Sequence, residues 1–220
     1  MVIDKKLILL ILLQLFCYSI ACQAGSQGNA KSCHPFYIGV MGGYGSTTWT
    51  GLVPTEENQN LALSISTPIE VREGGGVWGV LAGYEFTPYF ALEFNYLRYP
   101  DAEVSFDPVS LFSFMNNQET LRTKTETLDL KGKIMLVIPT THLRLYSSAG
   151  AAGIHRNDIL IDDWRLSPAF GVGLNYRFNE HFMGELGGNY TAGYGEAQLN
   201  PSDTYFPFLY SLVLRLAYRF

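Results

Sequence analysis

The sequence predicts an all-β chain that forms a closed eight-stranded antiparallel up-and-down transmembrane β-barrel. Three observations predict it. Apolar and polar residues alternate with a period of two in segment after segment, the signature of strands with two unlike faces. Eight such segments occur, and the links between them are alternately short and long. Composition agrees: 47% of the 220 residues are hydrophobic and only 16% are charged, against about 25% in ordinary globular chains. So little charge cannot solvate a disordered chain.

Residues 1–24 read as a secretory signal peptide rather than structure. Lys5 and Lys6 form a positive start, and Leu7 to Leu13 is an unbroken apolar run that extends through Gln14 to Ala21. That run is too short for the ~20 residues of a spanning helix. Cys22-Gln23-Ala24 offers a cleavage site after Ala24, and Ser19-Ile20-Ala21 before Cys22 offers lipidation as the alternative. Residues 25–35 read as a flexible N-terminal segment, and 36–220 as the barrel domain. Export removes Cys17 and Cys22 and leaves Cys33 alone, so no intramolecular disulfide framework is expected.

The strands follow in order. Phe36, Ile38, Val40 and Tyr44 alternate with Gly39, Met41 and Gly43. Trp78, Val80, Ala82, Tyr84 and Phe86 oppose Gly79, Leu81, Gly83 and Glu85. Phe90, Leu92, Phe94 and Tyr96 oppose Ala91, Glu93 and Asn95. Leu128, Leu130, Ile134, Leu136 and Ile138 oppose Thr127, Asp129, Lys131 and Lys133. Leu143 and Leu145 alternate with Arg144 and Tyr146. Phe170, Val172, Leu174, Tyr176 and Phe178 oppose Gly171, Gly173, Asn175 and Arg177. Phe182, Leu186, Tyr190 and Tyr194 oppose Met183, Glu185, Asn189 and Thr191. Leu212, Leu214, Leu216, Tyr218 and Phe220 oppose Ser211, Val213, Arg215, Ala217 and Arg219. Tight links run through 87–89, 139–142 and 179–181. Long ones run from about Thr50 to Gly75, Pro100 to Arg122, Arg156 to Arg165 and Gly195 to Tyr205. One smooth rim and one elaborate rim is the pattern of outer-membrane barrels, whose short turns face the periplasm.

A soluble barrel would put the apolar face inside. Here the polar face is small and carries both signs of charge: Glu85, Glu93, Asp129 and Glu185 against Lys131, Lys133, Arg144, Arg177, Arg215 and Arg219. Buried charges need partners, so these ten are expected to form a lumen network. The apolar face ends in Tyr, Trp and Phe, as membrane interfaces require. In hydrocarbon a sheet must have no edge, so the first strand must pair with the last. Gly39, Gly42, Gly43 and Gly45 ease close approach there.

With these features the chain resembles the small outer-membrane β-barrels of Gram-negative bacteria, similar to the OmpA transmembrane domain and to opacity-type surface proteins. The resemblance covers about Phe36 to Phe220. It rests most on the last strand, where Leu212, Leu214, Leu216, Tyr218 and a terminal Phe220 match the family's assembly signal. FYIGVMGGYG and GVLAGYEFTPYFALEFNY also look typical. The resemblance implies recognition of those five residues by the barrel-assembly machinery, contact with outer-membrane lipids and no cofactor. No peptidoglycan-binding domain follows, unlike full OmpA.

The residues give no catalytic or metal-ligating constellation. His34, His142, His155 and His181 fall on separate segments without zinc spacing. His155 beside Asp158, Asp162 and Asp163, with Ser147 and Ser148 further along, reads as a polar rim, the alternative being the base of a lipid-modifying outer-membrane enzyme. The net charge of −5, with no basic cluster, excludes nucleic-acid binding. Eight strands leave a bore that side chains fill, so no wide channel is expected, with a narrow ion path as the alternative. The expected role is structural and surface-interacting, the long loops offering an external protein or host-surface partner a binding face. The acidic first loop (Glu56, Glu57, Glu70, Glu73) and the apolar stretch Val109 to Met115 are its distinctive parts.

Overall fold

The computed structural model describes residues 34–49, 68–106, 118–194 and 205–220. The signal segment, the three cysteines, Glu56, Glu57 and the 109–115 stretch lie outside these. The described residues form ten strands: β1 (Phe36–Thr47), β2 (Pro68–Arg72), β3 (Gly74–Thr87), β4 (Phe90–Arg98), β5 (Ala102–Phe106), β6 (Thr120–Val137), β7 (Leu143–Asn157), β8 (Asp162–Arg177), β9 (Phe182–Thr191) and β10 (Leu209–Arg219).

Eight of them close a ring in the order β6-β4-β3-β1-β10-β9-β8-β7, and β7 returns to β6. Every neighbouring pair is antiparallel. β1 meets β10 with Tyr37 opposite Arg219 and Thr47 opposite Leu209, so the first and last strands share one seam. The ring strands have 9 to 18 residues, enough to cross a bilayer when tilted.

Across the middle of the ring strands the outward positions are predominantly apolar. On β10, Leu212, Leu214, Leu216, Tyr218 and Phe220 are exposed, while Ser211, Val213, Arg215, Ala217 and Arg219 are buried. The same holds on β3, β6 and β8. Water on that exterior would penalise it, and hydrocarbon does not. The interior also holds large side chains that composition did not announce: Tyr37, Met41, Leu81, Leu97, Tyr99 and Tyr146. Glycine makes room for them. A Cβ on Gly83 would fall within 2.6 Å of the Tyr37 ring, and one on Gly173 2.7 Å from the Tyr146 hydroxyl.

Three expected loops are corrected. The stretch from Arg156 to Arg165 is no long loop: β7 reaches Asn157, β8 starts at Asp162, and four residues turn the chain. Asp158 holds that turn, accepting from the backbone N–H groups of Leu160 (2.8 Å) and Ile161 (3.2 Å). The stretches 50–75 and 100–122 contain β2 and β5, which pair with each other and, through β5, with the top of β6. β2, β5 and the top of β6 extend beyond the ring as a flap. Length still separates the two rims, but through projecting strands as well as connections.

The outward row gives a direct expectation. Leu214 is 67% exposed and faces lipid in mid-strand. Leu214→Arg should cost about 2–4 kcal/mol in reversible unfolding from lipid vesicles. A cost near zero would place that side chain away from hydrocarbon.

Candidate functional site: a braced lumen and a capped mouth

All ten charged residues expected in the lumen point inward, and the ring brings them together in two groups. At mid-height, Glu93 (β4), Asp129, Lys131 and Lys133 (β6), Glu185 (β9) and Arg215 (β10) meet. Lys133 Nζ donates to Glu93 at 3.2 Å and also to Glu185. Arg215 donates to Glu93 at 2.6 Å and lies 3.4 Å from Glu185. β4 and β6 sit across the ring from β9 and β10, so the Lys133–Glu185 and Arg215–Glu93 pairs span the bore. Lys131 bonds Asp129 and Asn189, each at 3.2 Å, and Asn95 donates to Asp129 at 2.7 Å. Tyr37 donates to Glu93 at 3.0 Å, and the Lys133 ammonium lies 4.0 Å from the Tyr146 ring centroid. These charged side chains are 1–4% exposed. Three carboxylates face three cations, so the group is neutral and its desolvation is met by mutual pairing.

Nearer the short turns, Glu85 (β3) receives Arg144 (β7) at 2.7 Å, Arg219 (β10) at 2.9 Å, and Arg177 (β8). Arg144 also donates twice to the Asn175 amide oxygen, at 2.9 and 2.7 Å. Below it, the Phe220 N–H donates to the Phe36 carbonyl at 2.8 Å. The Phe220 ring packs against Tyr218 and Phe36 at the seam. His181 stacks on Tyr218 and lies beside His34.

The other rim carries a second construction that the sequence did not reveal. Trp49, just past β1, and Tyr205, just before β10, pack at 5.2 Å between ring centroids. Ala102, Val104, Phe106 and Leu121 of the flap close over them, with Val71 alongside. Arg156 lies 4.9 Å over the Trp49 ring, donates to the Tyr205 carbonyl at 2.6 Å, and pairs with Asp158 at 2.6 Å with neither side chain exposed. Tyr205 donates to the Thr48 carbonyl, and the Trp49 N–H donates to the Glu73 carboxylate. Burial pushes the Tyr205 phenol up to about 12, which keeps it a neutral donor.

On the outer wall of the β7–β8 hairpin, His155 bonds Asp162 at 2.7 Å and stacks on Trp164 at 4.6 Å. That bond holds the Asp162 carboxyl below its ordinary range. Ser148 points into the bore and bonds the Gly171 carbonyl, and Ser147 is eight residues down the strand, roughly 26 Å away. Neither Ser147 nor Ser148 is therefore within reach of His155. Among the described residues no group of three His, Cys, Asp or Glu is placed to hold a metal.

A family model described as the outer membrane protein beta-barrel domain matches residues 10–220. The chain belongs to that family. It is a transmembrane protein of the bacterial outer membrane, so the short turns face the periplasm and the capped rim faces outward. It is similar to an uncharacterised protein of Coxiella burnetii, 22% identical and covering 87% of this chain and 88% of that one. The outer membrane protein OprG of Pseudomonas aeruginosa shares the fold, with a TM-score of 0.50 and 12% identity over 87% of this chain and 98% of that one. Neisserial surface protein A aligns with a TM-score of 0.49 and 11% identity over 84% and 97%.

The mid-lumen group invites one substitution. Lys133→Met leaves Glu93 and Glu185 buried with Arg215 as their shared cation. Stability in denaturant should fall by about 3–5 kcal/mol, as when one partner of a buried pair is removed. A loss under about 1 kcal/mol would mean that water already shields these carboxylates.

Proposed function

We propose that the protein is a surface-display anchor: a sealed barrel that fixes a stiff external β-platform on which a protein or host-surface partner binds. The observation that carries this reading is the cap. The β2–β5–β6 flap packs its apolar side onto Trp49 and Tyr205, so these described strands above the membrane form a fixed surface. A pre-ordered surface loses little entropy when a partner docks. The barrel's part is anchorage, its lipid face held by outer-membrane lipids.

A non-enzymatic role fits His155, whose partner is a carboxylate and an indole rather than a nucleophile. The narrow-pore reading is second. It draws support from the inward row Thr123, Thr125, Thr127, Asp129, Lys131 and Lys133 on β6, polar along its length. Planar-bilayer recordings separate the two, since an anchor shows no sustained conductance and a pore shows discrete steps. Leu212, Leu214, Leu216, Tyr218 and Phe220 serve as the assembly signal in this account, read before the seam closes.

Cysteine labelling on intact cells tests display and assembly together. In a Cys33→Ser background, Leu160→Cys at the β7–β8 turn should react with a membrane-impermeant maleimide, and Thr140→Cys in a short turn should not. Removing Phe220 should shrink the labelled pool. Equal labelling at both turns would refute the orientation, and an unchanged pool would refute the signal.

A further inference from the structure

We propose that the lumen makes its own covalent cross-link: an amide bond between the side chains of Lys131 on β6 and Asn189 on β9, formed with loss of ammonia. β7 and β8 stand between those two strands, which share no backbone hydrogen bonds. Lys131 Nζ donates to the Asn189 side-chain oxygen at 3.2 Å. A C=O bond is ~1.2 Å long, so the amine lies within about 4.5 Å of the carbonyl carbon it attacks. The flexible four-carbon stem of lysine closes the rest. Both residues are enclosed, Lys131 at 2% exposure and Asn189 at 8%.

Attack on an amide needs a neutral amine, a donor where negative charge develops, and an oriented acyl group. All three are present. Asp129 Oδ2 lies 3.2 Å from Lys131 Nζ, placed to take its proton. Asn95 donates to the other Asp129 oxygen at 2.7 Å and holds the carboxylate in position. Arg215 donates at 3.0 Å to the same Asn189 oxygen that Lys131 touches, so a cation faces the developing oxyanion. The Asn189 NH2 group donates to the Ser211 hydroxyl at 3.2 Å. Two cationic donors on one side of the amide and a hydroxyl on the other fix which atom is oxygen.

The other lumen amides named above lack this set. Asn95 and Asn175 turn their NH2 groups to Asp129 and Glu185, and the Asn175 oxygen takes Arg144. Lys133 meets the carboxylates Glu93 and Glu185, and an ionised carboxylate has no leaving group to lose.

Lys131 enters with three protons on Nζ. One passes to Asp129. The amine lone pair then forms the bond to Asn189 Cγ, and the carbonyl π electrons move onto Oδ1 beside Arg215. A second proton passes from Nζ to Nδ2, the Cγ–Nδ2 bond breaks, the carbonyl re-forms and ammonia leaves. The third proton stays on the new amide nitrogen, and Asp129 remains as the neutral acid. No oxidant or cofactor is consumed. One buried cation and one buried anion disappear together, so the charge balance of the bore is kept and the desolvation cost of that pair is removed.

Mass spectrometry tests this on protein purified from outer membranes in detergent. The chain should weigh about 17 Da less than its mature sequence, the mass of one ammonia. Trypsin should not cut after Lys131, and tandem spectra should show a branched peptide joining Lys131 to Asn189. Chain refolded from urea into micelles should acquire the branch with time, whereas chain kept in urea should not, because only the fold brings the two groups together. Lys131→Arg keeps a cation for Asp129 but has no nucleophilic amine, and Asn189→Ala removes the acyl group; each should keep its full sequence mass. Asp129→Ala should slow the branch by about 100-fold or more. The wild-type digest alone decides the matter where a variant does not fold. An unbranched wild-type chain after days in the folded state would overturn the proposal. So would a branch that persists in Lys131→Arg, that forms as fast in urea, or whose rate Asp129→Ala leaves unchanged.

Discussion

A strand in hydrocarbon has no water to satisfy its backbone, so each N–H and C=O that it exposes costs several kcal/mol. The rest of the structure follows from that demand. The sheet must close, and it does so through the pairing of β1 with β10 and of β6 with β7. Closure at eight strands sets a bore only wide enough for side chains. Outward side chains must then be apolar, so polar groups have only the inside and the two rims left to occupy.

Burial inside such a bore makes charge expensive unless it is paired. Two of the mid-lumen pairs run across the barrel, Glu93 to Arg215 and Glu185 to Lys133. Cross-braces of this kind tie strands that share no backbone hydrogen bonds. The group nearer the short turns is built differently, with Arg144, Arg177 and Arg219 converging on Glu85 from three strands. The outer rim solves its own problem with aromatic rings and one fully buried ion pair, Arg156 with Asp158. Above the membrane the polarity inverts again: on β5, Ala102, Val104 and Phe106 are buried, while Glu103 and Ser105 between them are partly open. The outside there is water, and an ordinary apolar core returns.

That inversion explains what the sequence made legible. Within the bilayer each strand has an oily face and a polar one, and residues such as Leu212 to Phe220 display the contrast without ambiguity. The inward set of ten charges was readable for the same reason. Past the bilayer both sides of β7 and β8 are wet or packed, so Arg156, Asn157, Asp158 and Asp162 read as loop although they continue or close a hairpin. β2 and β5, five residues each, are too short for their alternation to stand out. The Trp49–Tyr205 contact joins residues far apart in the chain that only closure of the ring brings together. Which arginine meets which carboxylate depends on the register between strands, and no local pattern records it.

The central claim is that a closed ring turns its apolar row to lipid and its charged row to the bore. A spin-label scan through β10, from Leu209 to Arg219, in lipid vesicles tests it most directly. The account predicts strict alternation: labels at even positions collide with lipid-soluble oxygen, and labels at odd positions are shielded and immobile. Oxygen accessibility at the odd positions, or a profile without a period of two, would contradict it.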